Sequence, residues 1–267
     1  MSPLEAMGTA MGGSSRFNSV FWRRLVGSIQ PALLAGGLVW AGSVAAAPVV
    51  RPLEDGQVNW STREVQVNGV GTPVILSHTG GTTPRDPYEQ ARDDARQRLQ
   101  RALGALPVDA RPAGTVQALD AILASALQSF QSDPPLHFSD GTVHLRSTAS
   151  FAWGAALAGP PIPQAPDAPT GLLVRLTGPM EPRMRLTLMA AGAPAVVAGL
   201  PGDVIGGAGV VWVARGDEGT LTGLLGPRPI ETAATPGKAG ELVLDAAGAA
   251  VLQHAGGLQG AVAVVMP

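Results

Sequence analysis

The chain has 267 residues, a formal net charge of −2 and no cysteine. The absence of cysteine excludes disulfides, thiolate catalysis, cysteine metal sites and a lipidated N-terminal cysteine. The mildly acidic balance, without a basic cluster, argues against nucleic acid as a partner.

The first 46 residues are predicted to form a signal peptide. Arg23 and Arg24 precede an uncharged run at residues 31–41, and small residues follow at 43–47. This is the order of a basic region, an apolar region and a cleavage site that export requires, with cleavage predicted after Ala46. An uncleaved membrane anchor is the alternative, but the apolar run is shorter than the roughly 20 residues that span a bilayer. We therefore predict that the protein is exported to the periplasm, where a position at the periphery of the outer membrane is also open to it. The mature chain is expected to have no stable membrane span.

The mature chain is predicted to have two domains joined by a proline-rich linker. Five prolines lie between residues 160 and 169, and such a segment is extended and poorly helical. We therefore expect a first domain at 47–157, a linker at 158–170 and a second, strand-rich domain at 171–267.

The first domain is predicted to read strand, helix, helix, strand. Residues 58–67 end in the alternating Val65-Gln66-Val67, which is typical of a half-buried strand, and the glycines at 69 and 71 should break it. Asp86 and the Pro87 that follows it are typical of a helix start. Apolar residues then recur every three or four positions and predict one buried stripe: Tyr88, Ala91, Ala95, Leu99, Ala102, Leu103 and Leu106.

The opposite face of this helix is rich in arginine. Arg92, Arg96, Arg98 and Arg101 are the candidate partner-binding residues. The alternative is an ordinary solvated helix face, stabilised in part by the pair of Asp94 and Arg98 four residues apart.

A second helix is expected after Thr115, its predicted cap, with apolar residues repeating from Val116 to Phe130. Residues 142–151 then alternate as a strand, with Val143, Leu145, Ser147, Ala149 and Phe151 on one side. These elements predict an α+β fold in which two helices pack on one face of a small sheet.

The second domain shows mainly strand patterns. Short apolar runs bounded by Gly or Pro predict strands at 171–176, 183–189, 209–214, 240–244 and 261–266. Asp245 is expected to cap a helix from residue 246 to residue 254.

The order of elements resembles a known family. The strand ending at residues 65–71, the Ala/Arg-rich helix at 91–99 and the strand that begins at 140–143 are similar to the small outer-membrane lipoprotein family that includes the flagellar proteins FlgP and the N-terminal part of FlgT. Residues 169–175 and 242–247 are similar to the C-terminal half of longer members. The resemblance implies a structural role at the periplasm or outer membrane, with a flagellar-type assembly as one form of it, and it implies no catalytic residue. This chain departs from the family because it has no cysteine to carry the lipid.

No catalytic motif stands out in the sequence, and we expect no cofactor and no metal. A metal site at His137, Asp140 and His144 is disfavoured, because strand alternation would point these side chains in different directions. The glycine-rich residues 202–209 lack the Lys-Ser/Thr ending of a phosphate-binding loop, which favours a plain turn.

These observations predict an exported, non-enzymatic envelope protein that contacts envelope proteins or other copies of itself through its sheet edges and its arginine-rich helix. A periplasmic module that binds a small ligand, and a hydrolase with dispersed catalytic residues, remain as alternatives. A ligand binder should be monomeric and gain thermal stability with its ligand, whereas a hydrolase should lose activity when one buried polar residue is changed.

Overall fold

A computed structural model describes residues 48–73, 85–109, 111–152, 169–192, 194–203, 205, 209–238, 240–252 and 261–267. The predicted signal peptide and most of the predicted linker lie outside these ranges. The described residues all belong to one compact unit. None of the helices in the described ranges combines the length and apolar character needed to cross a membrane.

The fold is α+β, as predicted, and its first half is an antiparallel sheet with two helices. The elements are β1 (Val50–Leu53), β2 (Gly56–Asn59), β3 (Glu64–Gly71), α1 (Pro87–Ala105), α2 (Asp120–Gln128), β4 (Gln131–Ser132), β5 (Leu136–His137) and β6 (Val143–Ser150). The strand order is β1-β2-β3-β6-β4, and β5 also pairs with β6.

The predicted strand at 58–67 is in fact a hairpin. β2 ends at Asn59, β3 begins at Glu64, and the two pair in antiparallel fashion. The side-chain oxygen of Asn59 accepts hydrogen bonds from the backbone N–H groups of Ser61 and Thr62, which turns the chain. Arg63 completes the turn with a φ of 58°. The sequence prediction missed this turn because it contains no glycine, the residue that usually adopts a positive φ.

Helix α1 forms where its sequence predicts. The Asp86 carboxylate accepts a hydrogen bond from the N–H of Tyr88 at 3.1 Å, and Pro87 opens the helix. The predicted apolar stripe faces the sheet, and all its members except the half-buried Tyr88 are buried: Ala91, Ala95, Leu99, Ala102, Leu103 and Leu106.

The glycines of β3 do not break the strand, contrary to the prediction, because they serve its contact with α1. A Cβ on Gly69 would lie 2.0 Å from the carbonyl oxygen of Ala91, and one on Gly71 would lie 1.8 Å from that of Pro87. The backbones of strand and helix therefore approach more closely than any side chain would allow.

Helix α2 packs beside α1, but its start differs from the prediction. It begins at Asp120 after two short 3₁₀ turns (Ala113–Thr115 and Gln117–Leu119), and its cap position, Leu119, makes no side-chain hydrogen bond. The hydroxyl of Thr115 instead donates to the carbonyl of Pro112 at 2.8 Å. Strand β6 alternates as predicted and buries one face against the helices.

The second half is a seven-stranded mixed sheet. Its elements are β7 (Gly171–Leu176), β8 (Leu186–Met189), β9 (Val196–Ala198), β10 (Val210–Ala214), α3 (Thr222–Leu225), β11 (Pro229–Pro236), β12 (Glu241–Leu244), α4 (Ala246–Leu252) and β13 (Val262–Met266). The strand order is β10-β13-β7-β11-β12-β8-β9.

The five strands predicted in this half are confirmed, with boundaries shifted by up to three residues. Two strands, β9 and β11, were missed. Although β11 lies between β7 and β12, it begins and ends with proline, and Ile230 is its one large apolar residue among Ala, Thr and Glu. Asp245 caps α4 as predicted, accepting the Gly248 N–H at 3.0 Å. The predicted end of this helix lies outside the described residues.

Both sheets contribute to one hydrophobic core. Trp60 and Phe151 from the first half are buried in the same cluster as Trp212 from the second, and the rings of Trp60 and Phe151 meet edge to face at 5.6 Å. Backbone hydrogen bonds from Met184 to Pro107 and from Arg185 to Val108, at 2.9 and 2.8 Å, join the halves directly. The predicted division into two domains stays a prediction.

Candidate interaction surface

Three of the four candidate arginines (Arg92, Arg96 and Arg101) are exposed on α1, and the first two have no hydrogen-bonding partner among the described residues. Arg92 and Arg96 lie one helical turn apart. Neither side chain forms a hydrogen bond or an ion pair with another described residue. As far as the described residues are concerned, their guanidinium groups are therefore available to another molecule.

Arg98, in contrast, is part of the attachment of α1 to the sheet. Its Nε donates to the Asp94 carboxylate at 2.8 Å, and the same carboxylate oxygen accepts the backbone N–H of Val70 at 2.9 Å. The pairing of β3 with β2 ends at Val67, so beyond this point the backbone of β3 has no strand on that side. Asp94 satisfies one of the donors left there.

Arg101 ties α1 to the hairpin of β1 and β2. Its Nε and Nη2 donate to the two carboxylate oxygens of Asp55 at 2.8 and 2.9 Å. These hydrogen bonds hold the pKa of Asp55 below its ordinary value and raise that of Arg101. The bidentate geometry fixes the helix against the turn between the two strands.

The exposed face of α1 carries balanced charge. We call its six exposed residues between positions 89 and 100 the outer stripe: Glu89, Arg92, Asp93, Arg96, Gln97 and Gln100. Two acidic and two basic side chains alternate along it. Asp93 also lies 3.4 Å from Arg85, in an ion pair whose side chains are both more than half exposed, which makes it easy to exchange.

The edges of the first sheet are poorly suited to pairing with another strand. In an antiparallel pair, the backbone groups of successive residues point alternately towards and away from the neighbouring strand. Because the Val49 carbonyl accepts the Trp60 N–H, the backbone groups of Val50 and Pro52 point away from β2. Pro52 has no N–H to donate at this edge.

The opposite edge carries a bulge. Three residues between β4 and β5 face two residues of β6, and two of the three are Pro134 and Pro135. A bulge and prolines both interrupt the regular row of donors that an added strand would need.

At each edge of the second sheet, another part of the chain hydrogen-bonds to the edge strand. The Ser61 hydroxyl donates to the Trp212 carbonyl of β10 at 2.9 Å. At β9, the N–H of Ile205 donates to Val197 and its carbonyl accepts the N–H of Gly199. These contacts leave helix and sheet faces, rather than edges, as the surfaces suited to a partner.

The histidines do not assemble a metal site in the described residues. His137 is exposed, and the half-buried ring of His144 contacts that of Phe138 in a tilted arrangement, with centroids 4.7 Å apart and ring planes at 55°. Asp140 accepts the Thr142 N–H at 2.9 Å, and hydrogen bonding to Thr142 lowers its pKa. Within the described ranges, no group of three or more His, Asp or Glu side chains could hold a metal ion.

The glycine-rich segment holds one structural carboxylate where it is described. Asp203 accepts the Leu200 N–H and binds Arg185 through both of its oxygens, at 3.1 and 2.6 Å. Residues 204 and 206–208 lie outside the described ranges, so the plain turn expected at residues 202–209 stays a prediction.

Two apolar surface pairs were missed by sequence reasoning. Leu136 and Phe138 are 66% and 49% exposed, and Met189 and Val243, neighbours across β8 and β12, are 37% and 46% exposed. The exposure of the second pair depends on which half of the sheet α3 covers, and strand alternation does not reveal that.

Comparison with models of known protein families gives no match, and no curated protein matches the chain at a significant level of similarity. The resemblance to the outer-membrane lipoprotein family therefore stays a prediction.

Proposed function

We propose that this chain is an exported, non-enzymatic protein of the bacterial cell envelope that acts through protein–protein contacts in the periplasm or beside the outer membrane. The observation that carries the proposal is the outer face of α1. There Arg92 and Arg96 are exposed without a partner among the described residues, on a helix whose other arginines are engaged within the chain.

The support of α1 makes its outer face a defined surface. Its inner face presses on Gly69 and Gly71, and the bonds of Asp94 and Arg101 hold it laterally. A rigid helix presents its outer side chains in fixed positions, and this lowers the entropic cost of binding.

The state of the sheet edges also favours this face. Contact through added strands is disfavoured at the proline-bearing edges of the first sheet and at the positions of the second sheet's edges that bind Ser61 and Ile205. Export is supported by the sequence of residues 1–46, and a flagellar-type assembly is one setting for such a protein.

The test is site-specific crosslinking in cells. The full-length chain, tagged at its C terminus, is expressed in a Gram-negative host with a photo-crosslinking amino acid at Gln97 in the outer stripe. A second site at Gln57, which is also exposed, serves for comparison. Cell fractions are then analysed for the mass of the processed chain and for crosslinked adducts.

Variants make the result specific. Arg92→Gln/Arg96→Gln should reduce the adducts formed at position 97. The matched control Arg51→Gln/Arg146→Gln removes two other exposed charges and should leave them unchanged. An unprocessed cytoplasmic chain, or adducts equal in both double variants, would refute the proposal.

A further inference from the structure

We propose that the partner of the outer stripe is a second copy of this chain, with the two α1 helices packed antiparallel. This inference rests on the proposed function, since it names the partner of that same face. It follows from the order of charges along the helix.

The charge balance of the stripe disfavours a partner of single sign. Glu89 and Asp93 would repel an acidic surface, while Arg92 and Arg96 would repel a basic one. A complementary partner must itself alternate acidic and basic groups at helical spacing. The outer stripe of another copy has this arrangement.

The spacing of the stripe also suits a helix pair. Glu89, Asp93, Arg96 and Gln100 are separated by four, three and four residues, the spacing that keeps side chains along one line of a helix. Arg92 and Gln97 flank this line. Such a line can face its own copy across a twofold axis.

An antiparallel arrangement brings opposite charges together. With the twofold axis level with residues 94 and 95, Asp93 of each copy faces Arg96 of the other, and Glu89 faces Gln100. Because the contact is isologous, every ion pair occurs twice. A parallel arrangement would instead place each residue beside its own copy and oppose like charges.

The expected association is weak and sensitive to salt, because exposed ion pairs contribute little and are screened. It should therefore be measured by sedimentation equilibrium on the processed, tagged protein, over a range of concentrations, at low salt and again at high salt. The wild-type protein should show a monomer–dimer equilibrium that shifts towards monomer as salt is added.

Charge exchange supplies the decisive comparison. Arg96→Asp places two acidic groups opposite one another and should weaken dimerisation about tenfold. The double variant Asp93→Arg/Arg96→Asp restores opposite charges in the pair and should return the dimer to within about threefold of wild type. Arg146→Asp makes the same reversal away from α1 and should have no effect. Circular dichroism verifies that each variant is folded.

The outcomes separate this inference from the proposed function. A wild-type protein that stays monomeric at low salt, or an exchange variant as weak as Arg96→Asp, would overturn the self-pairing. If crosslinks from position 97 then still reach other envelope proteins, the proposed function stands with a different partner. If position 97 yields no specific crosslink either, both proposals fail.

Discussion

Replacing Gly69 by alanine is expected to destabilise the protein, although alanine ordinarily stabilises a position that tolerates it. A Cβ at this position would lie 2.0 Å from the carbonyl oxygen of Ala91 and 2.7 Å from the Cβ of Ala95. Both atoms belong to helix α1 and neither can rotate away. To regain ordinary contact distances, the whole helix must move from the sheet by about 1 Å.

The balance of two effects sets the magnitude. Overpacking costs about 1–3 kcal/mol, and the upper end applies here because backbone atoms obstruct the new methyl group. Replacing glycine restricts the unfolded chain and returns about 0.4–1 kcal/mol. The net expectation for Gly69→Ala is therefore a loss of about 2 kcal/mol, equivalent for a chain of this size to a Tm lower by about 4–8 °C.

Urea unfolding followed by circular dichroism measures this loss. The matched control is Gly223→Ala in α3, where the added methyl group meets no atom within 4 Å and the change should be neutral or slightly stabilising. Hydrogen exchange gives a local readout, because lifting α1 lengthens the bond from the Val70 N–H to Asp94 and should reduce its protection. If Gly69→Ala is as stable as Gly223→Ala, the inference that β3 and α1 are in close backbone contact at Gly69 is refuted.

Three further predictions follow from individual hydrogen bonds. Asp94→Ala leaves the Val70 N–H without its acceptor and should cost about 1–3 kcal/mol in urea unfolding, whereas Asp94→Asn, which can still accept this bond, should cost less than half as much. Bonds from the Thr232 hydroxyl and nearby N–H groups lower the pKa of Asp245 to about 2, so its stabilisation is complete above about pH 4 and is lost as the pH falls towards 2. The difference in unfolding free energy between wild type and Asp245→Asn should therefore shrink over this interval, and a constant difference would contradict the assignment. Ser61→Ala removes a donor to the carbonyl of edge strand β10 and should lower the unfolding free energy by about 1–2 kcal/mol, and an unchanged thermal transition would argue against this contact.

Local pattern was sufficient for α1 and β6, because each buries one face and so carries an unbroken period. The Asp86 cap, the stripe from Ala91 to Leu106 and the alternation of β6 are all local properties. β11 was missed because its pairing with β7 and β12 makes it a strand, while only Thr232 and Ala234 are buried and its own residues give no clear strand pattern. The order of the second sheet depends on pairings distant in sequence, and residue periodicity carries no information about those.

The sequence was also insufficient to predict which arginines of α1 are available to a partner, because this too depends on strands distant in sequence. Helical spacing placed Arg92, Arg96, Arg98 and Arg101 together as one candidate surface, and they do lie on one continuous helix. Arg98 and Arg101 have partners within the chain whereas Arg92 and Arg96 have none among the described residues, and the lengths of the neighbouring strands explain this difference.

Because β2 stops pairing at Val67 while β3 continues to Gly71, a backbone donor is left beside α1, and Asp94 reaches over to accept it. Arg98 binds that carboxylate, and Arg101 binds Asp55 in the turn between β1 and β2. The surface open to a partner is thus set by where a distant strand ends, and it shifts towards the N-terminal half of the helix. This is why the proposed contact centres on Asp93 and Arg96 rather than on the full set of arginines.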